Sequence, residues 1–351
     1  MQLQSILENI QPVDSAAYAA CIARFDQVAK PVGGLGRLET LLARLAAVYG
    51  SADIDIPKKC VLVFCADNGV TAQGVSQSGH EVTTAIARML ANKKSSVCTM
   101  AKACGADTFP VDVGMVDTVE GLFNHKFAHG TADITHGPAM TNETALAAIE
   151  LGAALVKEKK EQGYRLVATG EAGIGNTTTA SAMAGVLLRQ SVDTVTGRGA
   201  GLDNEGLSRK RAAIKEAIRI NAPDPDAPLD VLAKVGGLDI AAMTGAFLGG
   251  ALYRVPIVMD GVISAVAALS AVRLNPLVRD YIIPSHISAE PASQMICAEL
   301  ELEPILHADM RLGEGTGAVA LFPLLDMAAA VYNDAATFAD IAVDAYKRHP
   351  C

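Results

Sequence analysis

Three glycine-rich stretches of this chain surround side chains able to move a proton or hold a phosphate. The last, Arg311-Leu-Gly-Glu-Gly-Thr-Gly317, sets a carboxylate between two glycines. Glycines beside Glu314 remove bulk and open backbone conformations closed to other residues, so the carboxylate can press against a small molecule. Partly withdrawn from water, it suits proton abstraction near neutral pH; the plainer role for a Glu in such a turn is a cap. An earlier stretch, Gly170-Glu-Ala-Gly-Ile-Gly-Asn-Thr-Thr-Thr-Ala180, carries Glu171, Gly173, Gly175, Asn176, Thr177 and Thr178 into the start of a helical run. A helix start offers unpaired N–H groups and a positive dipole end, which makes this an anion loop or a structural turn. No Lys follows its second glycine, so it is not a Walker A loop, and it is not a full G-x-G-x-x-G. The third, Gly197-Arg-Gly-Ala-Gly-Leu202, contains Gly199 and Gly201 and precedes Ser208-Arg-Lys-Arg211. There Lys210 or a neighbour can reach a phosphate, or the basic run is a solvated helix face. His286, between Ser285 and Ser288, is the one histidine in a strand-end loop with hydroxyls beside it and reads as a hydrogen-bonded structural residue.

These loops need strands to position them. Apolar runs at 60–66, 107–114, 164–169, 255–259 and 280–284 each end in Gly, Asp, Asn or Ser and lead into helical stretches. Such alternation predicts an α/β fold with a parallel sheet, whose ligands bind at the carboxyl ends of the strands. Residues 1–50 and 320–351 read as purely helical. They are expected to pack together as a small helical domain built from both termini, beside a large α/β catalytic domain at 51–319. No repeat or low-complexity linker divides the chain.

The formal charge of −9 comes from 29 basic and 38 acidic residues, with no Lys/Arg cluster. Nucleic acid is therefore not an expected partner, and an anion site must be made locally. The longest apolar stretch, 240–253, is too short to span a bilayer, and Gly245, Gly249 and Gly250 suit tight packing. The first ten residues form a short amphipathic pattern without the basic start of a signal peptide, so a cytoplasmic location is expected. Seven cysteines with no Cys-x-x-Cys pair fit reduced, buried thiols. The seven histidines lack paired metal spacing, and neither a metal nor a cofactor is expected.

Taken together, eight blocks resemble the nicotinate-nucleotide–dimethylbenzimidazole phosphoribosyltransferases of cobamide lower-ligand activation. They are Lys30-Pro-Val-Gly-Gly-Leu-Gly-Arg-Leu-Glu39, Cys65-Ala-Asp-Asn-Gly-Val, Gly170-Glu-Ala-Gly-Ile-Gly-Asn-Thr-Thr, Lys234-Val-Gly-Gly-Leu-Asp, Met243-Thr-Gly, Met259-Asp-Gly, Ile283-Pro-Ser-His and Arg311-Leu-Gly-Glu-Gly-Thr-Gly, in the family's order. The resemblance implies a Rossmann-like sheet and a dimer, either a homodimer or a heterodimer with a paralogue. It also implies transfer of the phosphoribosyl group of nicotinate mononucleotide to an aromatic base, with inversion to the α-glycoside. Glu314 matches the family's base. Gly173, Gly175, Asn176, Thr177 and Thr178, with Gly199, Gly201, Lys210 and Ser288, fall to the nucleotide and its phosphate. Ser78, Glu171 and Leu312 fall to the incoming base. One departure stands out: Ile86 replaces a Gln frequent near that base. An apolar wall there either tilts the pocket toward a phenol, as in the phenol-activating branch, or only adjusts packing. The competing possibility is a non-catalytic or partner subunit that binds the nucleotide. A Rossmann dehydrogenase is disfavoured, because Asp67-Asn-Gly-Val after the first strand is no glycine fingerprint.

Overall fold

The computed structural model describes residues 1–348. Cys351, counted among the thiols above, lies outside the described residues, as does the end of the 320–351 segment. Six parallel strands form one sheet: β1 (Lys59–Ala66), β2 (Asp107–Gly114), β3 (Phe123–Asn124), β4 (Leu166–Ala172), β5 (Ile257–Met259) and β6 (Ile282–Pro284). Their order is β3-β2-β1-β4-β5-β6, so the order in which strands are added reverses between β1 and β4. In a sheet of this order the crevice at that reversal is where ligands bind.

Both faces are covered, which is why the strands read as continuous apolar runs. Side chains alternate along β1. Cys60, Leu62, Phe64 and Ala66 enter one hydrophobic cluster, and Val61, Val63 and Cys65 enter the other. Behind the sheet, the helix Leu238–Tyr253 lies almost wholly buried against Asn142–Glu161. The two backbones approach so closely that a Cβ on Gly245 would fall 1.8 Å from the Ile149 carbonyl oxygen, which accounts for the glycines expected to pack tightly there. On the front lie Ser15–Gln27, Arg37–Tyr49, His80–Ala91, Ser96–Ala103 and Thr316–Asp334, all contributing to the second cluster.

The strands differ from expectation at their ends. β4 extends beyond 169 to Ala172, because Gly170, Glu171 and Ala172 remain in register with Val63, Phe64 and Cys65 of β1. Glu171 is thus a strand residue and not part of a loop. Residues 280–281 belong to the 3-10 turn Pro276–Tyr281, and β3, only two residues long, leaves no pattern in the sequence.

The termini are less uniform than their composition suggests. The helix Leu3–Asn9 packs behind the sheet on Leu238–Tyr253, away from the C-terminal helix. Residues 335–348 are not helical: Thr337 pairs antiparallel with Val28, and the Thr337 N–H and hydroxyl both donate to Asp340. Thr316–Asp334 is long and apolar enough to cross a membrane by length and composition. Here it is a core helix, with Leu321, Phe322 and Leu325 buried and Asp326 accepting from Lys59 Nζ at 2.8 Å.

Candidate active site

The carboxyl ends of β4, β5 and β6 open onto a cleft of about 290 Å³. The helix start at Asn176, the turn at Gly199 and Ala200, and the loop 310–316 enclose it. Of the residues named from the sequence, Ser78, Ile86, Glu171, Gly173, Asn176, Thr177, Gly199, Ser288, Leu312 and Glu314 all line it.

Glu314 sits at the tip of its loop with φ +61°, between Gly313 at +85° and Gly315 at +93°. Three successive left-handed residues form a sharp turn, and only the middle one carries a side chain. A non-glycine residue held in that region by its surroundings is a frequent mark of a functional site. The surroundings are identifiable. The buried Asp260, one residue past β5, accepts from the Gly315 N–H at 3.2 Å and the Ala318 N–H at 3.0 Å, fixing the loop and the helix that follows. The Glu314 carboxylate is buried and its Oε2 accepts from the Val97 N–H at 3.1 Å. Val97 lies in the first turn of Ser96–Ala103, where the helix dipole favours a negative charge. The other carboxylate oxygen has no protein donor among the described residues.

Around Glu314 stand further acids. Glu171 Oε2 accepts from Asn176 Nδ2 at 2.5 Å, and the same amide lies 3.3 Å from Asp239 Oδ2. Burial pushes the Glu171 carboxyl well above the ordinary range; the charges of Asp239, Asp260 and Glu314 add to that, against the Asn176 hydrogen bond. Burial likewise pushes Asp239 up to about 6. Asp260 is raised by burial against the pull of His286 and of backbone N–H groups at the helix start. Burial in apolar surroundings disfavours the charged form, so Glu171 is held toward its neutral state beside the Glu314 carboxylate. Among the described residues no cluster of three or more His, Cys, Asp or Glu is arranged to hold a metal ion.

Beside the other end of the cleft, Gly175 is the left-handed N-cap of Asn176–Leu187 and does not itself line the cleft. Lys210 reaches in from behind: its fully buried Nζ donates to Thr177 Oγ1 at 2.9 Å. Burial pushes it down to about 8, with Glu290 pulling the other way. Thr178 does not face the cleft. One position along the helix from Thr177, it turns into the packed side, fully buried and without a hydrogen-bond partner for its hydroxyl. Gly201 also lies off the cleft lining, its carbonyl accepting from the Gln77 side-chain amide. His286 lines the cleft, hydrogen-bonded to Ser285 Oγ at 3.0 Å and packed against the helix start at Gly317.

The sequence reading singled out neither Asp260, Asp239 nor Glu290. A signal existed for the first two, which stand in Met259-Asp-Gly and Gly237-Leu-Asp immediately after a strand or at a helix start.

A family model described as phosphoribosyltransferase matches residues 10–343. Nicotinate-nucleotide–dimethylbenzimidazole phosphoribosyltransferase of Ruminiclostridium cellulolyticum is 43% identical over 99% of this chain and 99% of its own. The chain belongs to this phosphoribosyltransferase family. The namesake enzyme of Acetivibrio thermocellus is 45% identical over 92% of this chain and 93% of its own. The solved structure of CobT from Thermus thermophilus superposes with a TM-score of 0.89 at 37% identity, covering 94% of this chain and 99% of that one. Likeness along nearly the whole chain makes the family's transferase chemistry the frame for the residues of this cleft.

Proposed function

We propose that this protein transfers the 5-phosphoribosyl group of nicotinate mononucleotide to an aromatic lower-ligand base for cobamide synthesis, with Glu314 as the base. The observation that carries the reading is a buried carboxylate, presented by a strained turn, in one cleft between an apolar wall and a Lys-backed helix start. Thr177, Gly199 and Ser288, with the charge of Lys210 behind them, seat the phosphate. Ser78, Ile86 and Leu312 receive the incoming ring. A ring nitrogen or a phenolic oxygen attacks C1′ from the face opposite nicotinate. The C1′–N bond breaks, its electron pair neutralises the pyridinium nitrogen, and nicotinate leaves. The attacking atom's proton passes to Glu314, and inversion yields the α-glycoside. Because the leaving group is a cationic pyridinium, positioning and one base are sufficient. Neutral Glu171 beside that site avoids a second full charge and can donate to a ring heteroatom.

The relatives' names specify dimethylbenzimidazole. Ile86, beside Ser78 and Val82 in the cleft wall, supports a pocket that also takes bases with fewer heteroatoms, such as a phenol. Leu312, 56% exposed at the lip, supports a dimer whose subunits meet near the site. The convergence of Glu314, Thr177 and Lys210 speaks against a subunit that only binds the nucleotide. Nicotinate release and nucleotide binding measured on Glu314→Ala test the assignment. Turnover should fall at least about a hundredfold with binding of the mononucleotide kept, and near-normal turnover sinks it. A competition of dimethylbenzimidazole, adenine and phenol in one reaction identifies the base; strict preference for dimethylbenzimidazole over phenol defeats the reading of Ile86.

A further inference from the structure

The phosphate end of the cleft contains a carboxylate that the transfer reaction does not use. Glu290 is the N-cap residue of Pro291–Glu299, yet its side chain makes no capping bond to its own helix. It reaches instead across the cleft to the Gly197-Arg-Gly-Ala-Gly turn, where Oε1 accepts from the Gly199 N–H at 2.9 Å. Oε2 lies so close to Gly197 that a Cβ there would sit 2.2 Å from it. Behind the same turn stands Lys210, whose Nζ would be 3.2 Å from a Cβ on Gly199 and which bonds Thr177 Oγ1. The N–H, the glycine hollow, the hydroxyl and the ammonium are what a phosphate requires, and a carboxylate of the protein now lies among them.

We propose that Glu290 is a resident stand-in for the substrate phosphate: its carboxylate occupies the Gly197–Gly199 cradle in the empty enzyme and must swing out before the nucleotide's phosphate can seat. This rests on the phosphate placement proposed above. The occupied cradle satisfies the Gly199 N–H and keeps a negative charge near the buried Lys210 while no substrate is bound. The cost is competition, because an anionic ligand sees only the fraction of molecules with the cradle open, and its apparent affinity falls by that fraction. A ligand lacking phosphate leaves the carboxylate in place. The competition therefore falls on ligands that carry a phosphate and spares the nucleoside.

The test is calorimetric binding of nicotinate mononucleotide, inorganic phosphate and nicotinate riboside to the full-length wild type and to Glu290→Gln. A charged acceptor binds an N–H about twice as strongly as a neutral one, so Glu290→Gln should bind the mononucleotide and inorganic phosphate roughly tenfold more tightly, with the riboside unchanged. A residue that only braces the turn would weaken binding when altered. Unchanged or weaker phosphate binding, or an equal gain for the riboside, overturns the proposal. Should the variant fold poorly, the wild type decides. In a crystal structure with the mononucleotide, a phosphate oxygen should accept the Gly199 N–H and the Glu290 carboxylate should have left it; phosphate bound with Glu290 still on Gly199 refutes the exchange. Failure of the wild type to bind the mononucleotide at all would instead count against the phosphate placement itself.

Discussion

Gly170 offers a way to move Glu314 without altering its chemistry. It lies in β4, paired with Val63, and a Cβ built on it would fall 2.2 Å from the Glu314 carbonyl oxygen and 2.6 Å from its carbonyl carbon. Ordinary contact begins near 3.4 Å, so Gly170→Ala forces the strand and the turn apart by about 1.2 Å. The strand is held on both sides, by β1 and β5, whereas among the described residues the turn's hydrogen bonds to other elements are those to Asp260 and from the Val97 N–H. Most of the displacement therefore falls on Glu314. A misplacement of about 1 Å at a reacting group costs roughly a hundredfold in rate. Overpacking of this kind costs about 1–3 kcal/mol of stability, which lowers Tm by several degrees in a chain of this size. We expect kcat for nicotinate release to fall about a hundredfold, with the Kd for nicotinate mononucleotide, measured by calorimetry, within about threefold of wild type. Gly185→Ala is the matched control, because its Cβ would meet nothing closer than 3.5 Å inside Asn176–Leu187 and should raise Tm slightly. If Gly170→Ala turns over within threefold of wild type, the β4 contact does not position Glu314 and the account of the turn is wrong.

Three further outcomes follow from the acid and base groups and from the pocket wall. Lys210, pushed down to about 8, carries its charge below that pH and loses it above. The affinity of the free enzyme for nicotinate mononucleotide should therefore fall between pH 7 and 9, and Lys210→Met should weaken binding and flatten that dependence. Glu171 is raised in the folded state, so its contribution to stability is fully present below about pH 4.5 and is lost as pH rises through its folded-state value. Glu171→Gln should accordingly raise Tm relative to wild type more at pH 8 than at pH 5, read by thermal melts; equal shifts at both would show that the acid is not held neutral. Ile86→Gln restores a polar partner in the wall and should move the product ratio in a dimethylbenzimidazole–phenol competition toward dimethylbenzimidazole by about fivefold, the worth of one modest hydrogen bond.

The sequence by itself determined the layers and the loops. Alternating apolar runs and helical stretches specify a parallel sheet because strands covered on both faces are mostly apolar, and the loops at strand ends then carry most of the chemistry. Glu314 between its glycines and the Gly173–Thr177 helix start could be named from residue type and spacing, and Ile86 only through the family resemblance. Tertiary structure decided which neighbours they have. Thr177 and Thr178 look equivalent in the chain, but helical rotation places one in the cleft and the other in the packed side. Asp260 holds the Glu314 turn from 55 positions away, and Glu290 meets Gly199 from 91 positions away. Burial holds the Glu171 carboxyl above its ordinary range, and the charges of Asp239, Asp260 and Glu314, brought in from remote positions, add to that. A carboxylate's protonation and its hydrogen-bond partner depend on burial and on groups remote in sequence, and a linear pattern of residue types records neither.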